Sequence, residues 1–86
     1  MINRKTELLV ILQEEAAEVI QAVSKSFRFG ETERNIGDLE TEIGDFMGVL
    51  KLLVEEGYID QSGTKLMKAA ENKIKKLETY MVNKKP

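Results

Sequence analysis

Residues 39–54, LETEIGDFMGVLKLLV, decide how the rest of the chain is read. Ile36, Leu39, Ile43, Phe46, Leu50 and Leu53 recur at steps of three and four, the spacing of one face of an α-helix. Beside them runs a second row, Glu42, Asp45, Val49 and Leu52, whose lower half is aliphatic. Two carboxylates therefore stand where the pattern calls for core, because residues three apart share a helix face. Buried acids stay ionised only when paired or bound to a cation, so this placement is costly without a counter-ion.

The same device occurs upstream. Asn3 is a good helix cap, and no Gly or Pro falls between Thr6 and Phe27. Leu9, Leu12, Ala16, Val19, Val23 and Phe27 form one stripe, and Leu8, Ile11, Glu15, Glu18 and Ala22 form another that two acids interrupt. The run Leu8 to Leu12 is apolar all round, which predicts cover on more than one side and points to a partner chain. Residues 28–35, RFGETERN, read as a helix connection, with Thr32 or Asn35 capping the next helix. In an antiparallel pair, facing residues have a constant index sum, and Glu15 with Asp45 and Glu18 with Glu42 both give 60. The spacing alone predicts four carboxylates at one level between two helices.

The second helix should end near Gly57, a good left-handed stop. Gly44 and Gly48 lie inside it at a cost of up to about 1 kcal/mol each, and are either tolerated surface glycines or points of close approach. Residues 58–63, YIDQSG, predict a turn with Asp60 or Ser62 as the next cap. A third helix follows from Thr64 to about Val82, with Leu66, Ala70, Ile74, Leu77 and Met81 as its stripe. The adjacent row, Leu66, Ala69, Lys73, Lys76 and Tyr80, is entered by lysines instead of acids. Residues 83–86 form a polar end. The expected fold is all-α: one domain over residues 1–86, a three-helix antiparallel protomer that completes a helical bundle by dimerisation.

Composition narrows the possibilities. A chain of 86 residues buries a small share of its surface and needs extra support. With no cysteine, that support must come from oligomerisation or metal, not from disulfides or thiolate sites. The same lack fits a reducing cytosol, and no signal core or bilayer-length apolar run occurs, so a cytoplasmic protein free of the membrane is expected. The formal charge of -2 is polarised: residues 1–28 are neutral, 29–63 carry -7 and 64–86 carry +5. The acidic middle argues against a continuous phosphate-tracking surface, and hence against nucleic acid as a partner.

Four carboxylates in a low-dielectric gap repel one another, and a divalent cation removes the conflict. Because the chain lacks His and Cys, its ligands are oxygens, which favours Mg²⁺, or Mn²⁺, over zinc and copper. The lack of His also speaks against a di-iron centre, which uses Glu-x-x-His pairs. Mg²⁺ held by a few carboxylates keeps waters and binds substrate phosphates, so the chemistry suggested is phosphate-bond hydrolysis. Acids at helical spacing are more often a solvated face or partners for lysine. Two such pairs inside apolar rows, level across one hairpin, weigh against that.

EAAE at residues 15–18, followed after 23 residues by EIGD at 42–45, resembles the ExxE and ExxD signature of the MazG-like all-alpha nucleoside triphosphate pyrophosphatases. LQEEAAEVIQAVSK, EIGDFMGVLKLLVE and ENKIKKLETY resemble the family too, over about residues 8–80. The likeness is strongest to the short, single-module members. It implies hydrolysis of a nucleoside or deoxynucleoside triphosphate to monophosphate and pyrophosphate, with Mg²⁺ held by Glu15, Glu18, Glu42 and Asp45. It also implies a helical dimer, often paired into a tetramer, and phosphate contacts from Asn72, Lys73 and Lys76. Lys25 and Arg28 are further phosphate candidates, although charge at a helix C-terminus explains them equally well. For Phe27, Phe29 and Tyr80, core packing is expected ahead of base stacking. The competing expectations are a non-catalytic helical interaction module, in which acidic middle and basic third helix pair between subunits, and a related enzyme acting on another nucleotide, such as a phosphoribosyl nucleotide.

Overall fold

The Asn3 side chain accepts a hydrogen bond from the Thr6 N–H at 2.8 Å and starts α1, Arg4–Phe29. Gly30, at φ 101°, ends it in a backbone region that favours glycine. Thr32 then caps α2, Glu33–Glu55, accepting from the Asn35 N–H at 3.1 Å. Of the two candidates Thr32 is therefore the cap, while Asn35, inside the helix, donates its side-chain amide to the Gly30 carbonyl at 2.8 Å and ties the loop down. The connection is therefore three residues, 30–32, and shorter than expected, because a single glycine reverses the chain. This computed structural model describes residues 2–85.

α1 and α2 pack as an antiparallel hairpin. Their contact line buries Leu8, Ala22, Ser26 and Leu53, with Leu12, Val19, Leu39, Phe46 and Leu50 half-buried around them. Ser26 satisfies its hydroxyl by donating to the Val23 carbonyl at 2.7 Å, which lets a polar residue sit in the seam. At the open end a bidentate ion pair joins Arg4 to Glu56, with Nη2 to Oε2 at 2.7 Å. Arg4 and Glu56 share the index sum of Glu15 with Asp45, so one register runs the length of the pair.

The guanidinium of Arg4, hydrogen-bonded to Glu56, holds that carboxyl below its ordinary value. A carboxylate with a lowered folded pKa adds stability above its unfolded value, and loses it as the pH falls through the folded one. Arg4→Ala is thus expected to lower the melting temperature at pH 7 by a few degrees at most, since both groups meet solvent. The difference from wild type should fade in thermal melts as the pH drops below 4.5, the value of an unperturbed glutamate.

After Gly57 the chain turns through residues 58–63, and Asp60, at φ 54°, accepts from the Lys65 N–H at 2.7 Å. That bond opens α3, Lys65–Tyr80, where Thr64 makes no side-chain cap. α3 packs against neither α1 nor α2, which corrects the expected three-helix packing. Only Leu77 of its apolar stripe is partly covered, and Ile74 is 57% exposed. The radius of gyration is 15.8 Å, against about 12 Å for a compact domain of this length. Gly44 and Gly48 face open space, so within one chain they are surface glycines.

Candidate metal centre

Glu15 comes from the middle of α1, and Glu42 and Asp45 from the middle of α2. One carboxylate oxygen from each lies within 4.8 Å of the others, with Glu15 and Glu42 half-buried and Asp45 exposed. Glu18 is exposed and stands outside this group. Its charge is still felt: the Glu42 carboxyl is pushed above its ordinary value first by partial burial, then by Glu18, Asp45, Glu15 and Asp38. All the charged neighbours shifting Glu42 are acids.

Asp38, which also raises the Glu42 carboxyl, is an acid that the sequence reading missed. It lies four residues before Glu42 and seven before Asp45, on the same flank of α2, but in the first turns of a helix where an acid is ordinary.

At about 100° per residue, Glu18 and Ile11 fall to one side of the contact line of α1, while Leu9, Ile20, Val23 and Phe27 fall to the other. On α2, Asp38, Asp45 and Leu52 take one side and Ile36, Ile43 and Met47 the other. In an antiparallel pair of right-handed helices the same rotational sense emerges on the same side. The hairpin therefore has an acid-bearing face and, opposite it, an apolar face whose residues are 37% to 78% exposed. Phe27 belongs to the apolar face, Phe29 is 67% exposed at the loop end and Tyr80 is 60% exposed on α3, so none packs in the core expected for it.

The candidate phosphate ligands are scattered within one chain. Lys25 lines a shallow hollow of about 330 Å³ with Gln21, Ser24 and Arg28, and Arg28 stacks over the Phe29 ring at 5.0 Å. Lys25 lies seven residues, about 10 Å along the axis, from Glu18. Asn72, Lys73 and Lys76 ride on α3 and are not gathered with the carboxylates. Lys73 is turned instead to Tyr80, donating to its hydroxyl at 3.2 Å. A larger hollow, about 680 Å³, lies at the far end of α3 between Ile74, Met81 and Lys84 and shares no residue with the acid group.

A family profile described as the MazG nucleotide pyrophosphohydrolase domain matches residues 3–81. The chain belongs to this family. The match covers all three helices and the carboxylates of both α1 and α2. A search of curated proteins and a search of solved structures gave no match. Membership of the MazG family points to nucleotide pyrophosphohydrolase activity, a hydrolysis of phosphoric anhydrides. The family generally uses a divalent metal, and three carboxylate oxygens from two helices are a donor set that suits a hard cation. None of the described helices of this MazG domain is long and apolar enough to cross a membrane.

Proposed function

We propose that this MazG domain is a Mg²⁺-dependent nucleotide pyrophosphohydrolase cleaving (d)NTP to (d)NMP and pyrophosphate, with Mn²⁺ able to replace Mg²⁺. The observation that carries this reading is the convergence of Glu15, Glu42 and Asp45 from two helices, unbalanced by any cation of the hairpin. These three would hold the ion. When bound, it would supply positive charge to the phosphate oxygens and lower the pKa of water at the site.

Glu18, the fourth acid, is left free to orient the attacking water and take its proton. The water oxygen forms a bond to a phosphorus at the α-β bridge, the bridging P–O bond breaks, and pyrophosphate leaves. Lys25 offsets the charge that develops on the departing group. Asn72, Lys73 and Lys76 do so from the α3 of a second copy, since the chain's own α3 packs on neither helix. The test is pyrophosphate release from a panel of nucleotides with Mg²⁺. Release from a phosphoribosyl nucleotide alone would move the assignment to that related reaction, and release from none would end it. Acting on such a substrate pool, the protein would work in the cytoplasm.

The second copy has its own support. The apolar faces of two hairpins would pair into a four-helix bundle, and pairing of dimers would give a tetramer. Met47→Lys, on that face and 60% exposed, should leave the hairpin folded and shift the chain to monomer in sedimentation. A monomeric wild type at tens of micromolar would sink the dimer. The standing competitor is the non-catalytic interaction module, which the detached basic α3 also favours. It differs in predicting no stabilisation by Mg²⁺.

A further inference from the structure

Two rows leave the carboxylates in opposite directions on the acid-bearing face. Toward the open end of the hairpin lie Ile11, one turn before Glu15, and Val49 and Leu52, one and two turns after Asp45. Ile11 and Val49 are half-buried and Leu52 is 39% exposed, an aliphatic shelf on an otherwise charged face. The Arg4–Glu56 pair closes its far edge. Toward the loop lies Lys25, about 10 Å beyond Glu18, with Arg28 in the same hollow further round α1.

A nucleoside triphosphate is likewise divided, with a flat base at one end and an anionic tail at the other. One sugar separates the base from the α-phosphate, so a base must sit within a turn or two of the carboxylates. Along the axes Ile11 is about 6 Å from Glu15, and Leu52 about 10 Å from Asp45. The aromatic side chains fail this measure. Phe29 is about 16 Å beyond Glu18, Phe27 is on the opposite face, and Tyr80 is on α3 with Lys73 over its ring.

We infer that the nucleobase lies on the shelf of Ile11, Val49 and Leu52, and that the phosphate tail runs the other way, toward Lys25 and Arg28. This rests on the pyrophosphohydrolase reading and adds to it the direction of the substrate. Base faces bind apolar side chains without regard to their hydrogen-bonding edges, whereas the tail requires cations.

Leu52→Ala and Leu52→Gln, at an exposed helix position, should each raise KM for a nucleoside triphosphate about tenfold and change kcat less than twofold. Inhibition by inorganic tripolyphosphate, which has no base, should be unchanged, and Leu52→Met should keep the wild-type KM. An unaltered KM in both variants, or a parallel weakening of tripolyphosphate, overturns the inference and leaves the pyrophosphohydrolase standing. A wild-type chain that releases no pyrophosphate overturns both.

Discussion

Glu42→Gln and Asp45→Asn are each expected to cut Mg²⁺-supported pyrophosphate release by about 10²–10³-fold. Each change neutralises one of three carboxylates whose oxygens lie within 4.8 Å of one another, while keeping the size of the side chain. Neither residue is part of the buried seam, so far-ultraviolet circular dichroism should show the same helix content as wild type. The loss should appear in kcat/KM, because the missing charge acts on the ion and through it on the transition state. Near-normal turnover in both variants would remove the carboxylates from the chemistry and return the chain to the interaction-module reading.

The second large effect is thermal. The folded pKa of Glu42 is raised, by partial burial and then by Glu18, so its contribution is present below the unfolded value and lost as the pH rises through the folded one. At pH 7, without divalent ions, the ionised group is a cost, and Glu42→Gln should melt at a higher temperature than wild type. Mg²⁺ at about a hundredfold excess over its Kd stabilises the wild type by about 2.7 kcal/mol, a rise of roughly 15 °C for a domain of this size. The variant should show little of that rise. Calorimetry with and without Mg²⁺ would therefore reverse the order of the two proteins. The same order in both conditions would contradict the ion site, and an unmoved wild type would favour the module.

Much of this was legible in the residues. Stripes at steps of three and four, with Asn3, Thr32 and Gly30 as punctuation, delimit α1 and α2 to within three residues. The register followed from the index sum, because a short loop leaves an antiparallel pair little freedom. The nearness of Glu15 to Glu42 and Asp45 follows from it, while what they do is our proposal. Glu18 lies outside the group although it shares the register of Glu42, and helix periodicity does not separate it from Asp45, which also stands three residues from its neighbouring acid. The standing of α3 was not legible, since periodicity reports that a face is apolar and not which surface covers it. Leu66, Ile74 and Met81 form a regular stripe, yet the chain's own hairpin does not meet them.

That detachment makes helix content a property of the solution as well as of the chain. A 16-residue helix without tertiary support is marginal in water, so an isolated protomer would hold α3 only part of the time. Dilution would then melt a defined fraction of the circular dichroism signal while the hairpin persists, and ordering of α3 would coincide with association.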